Sequence, residues 1–246
     1  KGPLMYEECL TRDGHEGPNT IAYHQRAPHT QSLSEAGHGW KAPEAITGRP
    51  LAKRHYKTQQ LERVGGAPID ARVPLLFNAD VTLAVLHPTE ADPVYFNNAD
   101  GDDLFYIHEG SGVVRTPLGA LRFEAQDYVF VPHGLAHRLI PDKGVAQYWL
   151  SIECKGGLHL PRQWRNEVGQ LRMDAPYSHR DFRAVEFTGP QDEGIRELVV
   201  KRGDVFHGFR YQDSPLDVVG WDGTVSPWAF PILTVPLILG GIEFSQ

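Results

Sequence analysis

The chain has 246 residues, with 24 Lys and Arg against 31 Asp and Glu for a formal charge of -7, and it carries no run of basic residues. That balance argues against nucleic acid or an anionic membrane surface as partner and leaves a small molecule as the expected one. Its 25 Gly and 19 Pro suit an all-β fold rich in turns, with enough chain for one large β domain or one barrel plus part of another. Two cysteines, Cys9 and Cys154, are too few for a disulfide framework and lack zinc-like spacing. Reduced thiols and a cytoplasmic location are therefore expected. The opening KGPLMYEECLTRDG has no apolar core and does not read as a signal peptide. The longest apolar stretch, 228–242, is broken by Pro231, Pro236, Gly240 and Gly241. It falls short of the ~20 apolar residues that a membrane-spanning helix needs.

Taken in chain order, residues 1–72 are polar and rich in His, Gly and Pro, with strand-like pieces such as Thr20-Ile21-Ala22-Tyr23-His24. They predict an irregular arm packed on a barrel, since no part of it could bury a core alone. His15, His24, His29 and His38 have no ligand-like spacing and are expected in solvated or capping roles. From residue 73 strands are predicted at 74–77, 81–86, 94–96, 104–107, 112–116, 120–123, 128–131, 137–140 and 147–152. Their spacing of roughly 8 to 12 residues, with Gly, Pro or Asp between runs, marks a sandwich or barrel over 73–154. Thr116-Pro117-Leu118-Gly119 predicts a hairpin turn. Lys155-Gly156-Gly157 reads as a flexible linker into a long charged connection, with one short helix expected near 163–168. Strand-like sequence resumes at 198–204 and again at 214–223. Asp217 and Asp222 read there as turn residues, and Trp221, Trp228 and Phe230 as packing.

The chemistry-bearing stretch is 95–139. The run Tyr128-Val129-Phe130-Val131 closes on Pro132-His133-Gly134-Leu135-Ala136-His137, a strand entering a tight turn, because Pro fixes one φ and Gly permits the positive φ of the reversal. His137 begins the returning strand, where its side chain can face the interior. Pro-x-Gly-x-x-His resembles the second conserved motif of the cupin superfamily, which implies a double-stranded β-helix, or jelly roll. The first motif, two His and then a Glu ahead of an aromatic strand, has its frame at Asp102-Asp103-Leu104-Phe105-Tyr106-Ile107-His108-Glu109-Gly110. By spacing, Asn97 and Ala99 stand where the two His would be, and Asp103 stands where the Glu would be. A neutral amide is a poor ligand for Fe(II), and Asp is one methylene shorter than Glu. Asn97, Asp100, Asp102 and Asp103 accordingly read as a polar turn before a strand, and His137 as a hydrogen-bonded strand histidine. His137, Asp103, His108 and His133 remain the metal-ligand candidates, and alternation leaves the face of His108 open.

Residues 214–232, SPLDVVGWDGTVSPWAFPI, resemble the homogentisate 1,2-dioxygenase family. Three further segments suit the same family: Tyr23-His24-Gln25-Arg26-Ala27-Pro28-His29-Thr30, the 95–139 motifs, and Gly169-Gln170-Leu171-Arg172-Met173-Asp174-Ala175-Pro176-Tyr177. The resemblance implies a two-barrel enzyme that opens the ring of homogentisate with O₂ to give maleylacetoacetate, in tyrosine and phenylalanine breakdown. It implies Fe(II) held by two His and one Glu in the second barrel, beyond the Trp-x-Gly segment. On that basis 155–246 is expected to be the connection and the start of an incomplete second barrel, and the catalytic residues are unknown in this chain. Residues 233–246 depart from the family, and an altered reading frame, an early end and a divergent tail all stand open. Such an apolar end predicts self-association, so a homo-oligomer is expected. Two other classes are a metal-free cupin binding a small molecule in its mouth and a single-barrel metalloenzyme using His108, His133 and His137.

Overall fold

The computed structural model describes residues 4–39, 41–53, 55–167 and 170–232. Residues 233–246, for which three readings stand open, lie outside that set. In the arm lie β1 (Tyr6–Thr11), β2 (Asn19–His24) and β3 (Ser32–Ser34). The regular stretch supplies β4 (Val73–Phe77), β5 (Val81–Leu86), β6 (Tyr95–Asn98), β7 (Asp102–Glu109) and β8 (Gly112–Thr116). It continues with β9 (Gly119–Phe123), β10 (Asp127–Val131), β11 (Arg138–Pro141) and β12 (Tyr148–Cys154). Five more strands follow: β13 (Arg183–Ala184), β14 (Glu197–Arg202), β15 (Val205–Arg210), β16 (Val218–Gly223) and β17 (Trp228–Pro231).

Among the described residues the strands fall into four sheets, and two of them pack face to face around the core. One has the order β13-β17-β10-β7-β12-β5-β4, and the other the order β11-β8-β9. Two antiparallel sheets stacked in this way form a jelly roll, or double-stranded β-helix, here with sheets that do not close on one another. Period-two alternation fills the space between them, because successive strand side chains point to opposite faces. Phe105, Ile107, Val129, Val131 and Trp149 from the large sheet meet Val114, Leu121, Phe123 and Leu139 from the small one. Trp149 is fully buried and receives Phe105 and Phe123 edge-on at 6.2 and 5.3 Å. Its indole N–H is satisfied by Gln147 Oε1 at 3.0 Å. The predicted turn joins β8 to β9, where the Thr116 hydroxyl accepts from Leu118 N–H and donates to Gly119 O.

Strands of the 155–246 stretch, expected to begin a second barrel, pair back onto the arm and the jelly roll. β17 lies antiparallel to β10, β14 parallel to β6, and β16 antiparallel to β2. Trp228 of β17 stacks on Phe130 of β10 at 4.9 Å, which fits its reading as packing. The helix expected near 163–168 shrinks to one 3₁₀ turn, Arg162–Trp164. That turn has no side-chain cap and buries no residue, so nothing offsets the cost of nucleating a longer helix. No helix among the described residues is long and apolar enough to cross a membrane.

Candidate functional site

The reversal at 132–137 sits against β6 and β7. Gly134 has φ +79, the left-handed conformation the turn requires, and its N–H donates to Asn98 O at 2.9 Å. Asn97 Nδ2 donates to Gly134 O at 2.9 Å, and Phe96 and His137 exchange a pair of backbone bonds at 2.8 Å. The turn and the first-motif region are thereby held to one end of the jelly roll.

Asp102 and Asp103 depart from the turn expected of them, for both lie inside β7 and are buried. Partners from distant segments make this tolerable, since a buried charge needs pairing and hydrogen bonds. Asp102 accepts from Arg12 at 2.5 Å, from His133 through its backbone and ring nitrogens at 2.9 Å, and from Leu158 N–H at 2.7 Å. Burial alone would raise its carboxyl, but these donors outweigh that and hold it down at about 2. Asp103 accepts from Arg72 at 3.2 Å and from Asn98 Nδ2 at 3.1 Å. The same Asn98 amide reaches Glu153, which binds buried Lys201 at 2.5 Å. Burial pushes the Lys201 ammonium toward neutrality, and the carboxylates of Glu153, Asp204 and Asp100 more than reverse it.

The four metal candidates do not converge. His137 is buried, its Nδ1–H donates to Leu135 O at 3.0 Å, and burial lowers its basicity. A carbonyl only accepts, so the proton sits on Nδ1; Nε2 is buried with no hydrogen-bond partner. His133 is taken by Asp102. His108 lies near the other end of β7 on its outer face, with its ring edge-on to Tyr148 at 5.1 Å. Among the described residues no three His, Cys, Asp or Glu side chains are grouped to hold a metal ion. The Fe(II) implied by the resemblance therefore does not fit the residues of this jelly roll. An amide occupies the first ligand position, and the one carboxylate beside His137 is committed to Arg72 and Asn98.

A second cluster lies where the arm crosses the reversal. His24, expected in a solvated or capping role, is instead 3% exposed in β2. Its Nδ1 meets Asp217 Oδ1 at 2.6 Å and its Nε2 meets Glu8 Oε2 at 3.2 Å. Asp217, read as a turn residue, also accepts Arg26 N–H at 2.7 Å and so ties β16 to the arm. Burial would depress the imidazole, but the bonds to Asp217 and Glu8 overcome it and raise His24 to about 9. These residues line a cleft of about 110 Å³ with Asn97, Gly134 and Tyr211. Ligand pockets run to roughly 300–1,000 Å³, so this cleft is small for an aromatic acid. The sequence carried one signal for His24 that the spacing argument missed. Thr20, Ala22 and His24 alternate, and all three are buried in β2.

Comparison with known proteins follows the same stretch. Residues 76–232 match the family described as homogentisate 1,2-dioxygenase N-terminal. A Saccharolobus solfataricus protein named "Putative dioxygenase" is 29% identical over 246 residues, 98% of this chain and 62% of its own length. The homogentisate 1,2-dioxygenase of Nitrobacter hamburgensis is 30% identical over 152 residues, 62% of this chain and 33% of its own length. A cupin protein from Bacteroides fragilis overlays with a TM-score of 0.34 at 18% identity, covering 46% of this chain and 94% of its own. The match takes in less than two thirds of either curated relative's length.

Proposed function

Because the chain belongs to the homogentisate 1,2-dioxygenase N-terminal family, we propose that it serves a ring-cleaving dioxygenase as the jelly roll framing the reaction, without itself holding the iron. The family match over 76–232 carries this reading. The commitment of Asp103 to Arg72 supports the second half of it. Homogentisate and O₂ are the proposed substrates, Fe(II) the proposed metal of the complete enzyme, and the cytoplasm the proposed location. The chain's own part is structural: a dry core around Trp149, and a face where the arm, the 132–137 reversal and β16 meet.

An oxygen electrode with homogentisate, Fe(II) and ascorbate tests the assignment. No homogentisate-dependent uptake is expected of residues 1–246 alone. A polypeptide continued past Gln246 through a His-x5-Glu pair and a later His is expected to consume O₂ under the same conditions. Turnover by residues 1–246 that disappears in His137→Ala would place the iron in this jelly roll and overturn the reading.

A further inference from the structure

Two arginines stand directly opposite each other on the outer face of the small sheet, Arg115 of β8 and Arg138 of β11. Like charges so placed repel, and the pair is costly unless an anion bridges it. The bridge is Glu193, from the loop between β13 and β14. Its Oε1 lies 3.1 Å from Arg115 Nε, and its Oε2 accepts from Arg138 Nη1 at 2.7 Å and from the Tyr95 hydroxyl at 3.2 Å. Burial pushes the Tyr95 phenol up, so it stays a donor. Asp92, the other acid beside Arg138, has its carboxylate taken by the Ile69 and Leu139 N–H groups. Glu193 fills this seat incompletely. Arg115 Nε is buried, and its contact with Glu193 is an ion pair without hydrogen-bond geometry, which leaves a charged donor unsatisfied. A buried donor of that kind is costly and needs a physical reason. The tether supplies one. Gln191 is tied to Leu216 O and Ser214 Oγ, and Gly189 and Gly194 both sit at φ +78 with nothing within 4 Å of where a Cβ would stand. The carboxylate reaches the arginines from a loop that packs on nothing at either glycine.

We propose that Arg115, Arg138 and Tyr95 form a binding site for a small carboxylate, in which Glu193 is a tethered stand-in that a free carboxylate displaces. A planar acceptor with two oxygens fits, because guanidiniums on neighbouring strands each meet an oxygen of their own and the phenol adds a third donor. A free carboxylate can also turn to satisfy Arg115 Nε, which the tethered one does not. The site is reachable, since the side chains of Arg115 and Glu193 are each 22% exposed. A side chain on a short loop competes at an effective concentration in the millimolar range, so Glu193 masks the affinity of the native chain for a free carboxylate. The proposal is independent of the ring-cleavage reading, and its test uses neither iron nor an aromatic substrate.

Acetate titration of the whole chain at neutral pH tests the proposal, with ionic strength held constant by chloride and the Nε–H signals of Arg115 and Arg138 followed by NMR. Glu193→Gln keeps the shape of the side chain and removes its charge, and it is expected to bind acetate at least tenfold more tightly than the native chain. Adding Arg138→Gln is expected to weaken that binding at least tenfold. In the native chain, acetate at several hundred millimolar is expected to move the backbone N–H signals of Glu193 and Gly194 as the loop is released, and chloride is not. A Glu193→Gln protein that binds acetate no better than the native chain would overturn the proposal. So would chloride moving the arginine signals as far as acetate does, or native loop signals indifferent to acetate. If Glu193→Gln does not fold, Glu193→Ala takes its place, and the native titration needs neither variant.

Discussion

Single residues decide how the arm is fastened. His24 lies between Glu8 and Asp217, and its basicity is raised from the ordinary 6.5 to about 9. A group with a raised folded pKa contributes stability that is complete below its unfolded pKa and is lost as pH rises through the folded value. Melting temperature is thus expected to fall between pH 7 and 10, with a loss of roughly 1–3 kcal/mol for a shift of this size at a largely buried site. His24→Gln should flatten that slope while lowering the melting temperature at pH 6.5. A native slope no steeper than that of the variant would refute the assignment. Asp102 works in the opposite sense. Its lowered carboxyl stabilises the fold above about pH 4, and the contribution fades as pH falls through about 2. Asp102→Asn is expected to cost roughly 3–5 kcal/mol, because Arg12 loses its buried counter-charge and His133 its carboxylate hydrogen-bond partner. Urea titration at neutral pH measures it. Neither aspartate's burial was legible in the sequence. Asp102 and Asp103 read as turn residues because their partners, Arg12 and Arg72, lie 90 and 31 positions away in the arm.

Strands were far more legible than their pairings. Alternation and turn chemistry mark the strands of 73–154, and the Thr116 to Gly119 turn forms as its residues demand. Which strand lies beside which is another matter, since a β-strand advertises its faces and not its neighbours. Nothing in residues 197–202 announces a parallel partner at 95–98, yet β14 pairs with β6 there. The short helix expected in the charged connection failed for a local reason, the absence of a buried face. β16 shows how closely such a long-range pairing can be specified. Gly223 ends the strand at φ +138, opposite Thr20, where an added Cβ would lie 2.3 Å from Asn19 O and 2.4 Å from Thr20 Cα. Gly223→Val is expected to cost at least ~2 kcal/mol, since both the conformation and the space exclude a side chain. Amide exchange should then accelerate in residues 20–24 and remain slow in 149–152. Equal acceleration in both places would show that β16 is not an independent clasp.

At the scale of the molecule, the jelly roll draws on sequence from both sides of the stretch that looks self-sufficient. β10 is an interior strand of the seven-stranded sheet only because β17 covers it, and β6 leans on β14. A fragment of residues 73–154 would bare the edge of β10 and the face of Phe130, which Trp228 covers in the chain. Exposed edges of this kind promote association. The fragment is expected to bind a hydrophobic dye and elute as a broad aggregate, while residues 1–232 unfold in one cooperative step. A monomeric 73–154 fragment with a sharp melt would show that the boundaries near 72 and 154 are true domain limits. Light scattering of the whole chain at micromolar concentration tests the proposed homo-oligomer, which a clean monomer would dismiss.

The union of β2 with β16 also sets an order of events during synthesis. Residues 19–24 are made before their partners at 218–223, which emerge some 200 residues later. At about 5–20 residues per second, that interval is roughly 10 to 40 s. During it the β1–β2 hairpin has one free edge, and His24 has no Asp217 to hold. The outer edge of β2 stays unpaired through that interval, and the arm can lock only after residues 217–223 have been made.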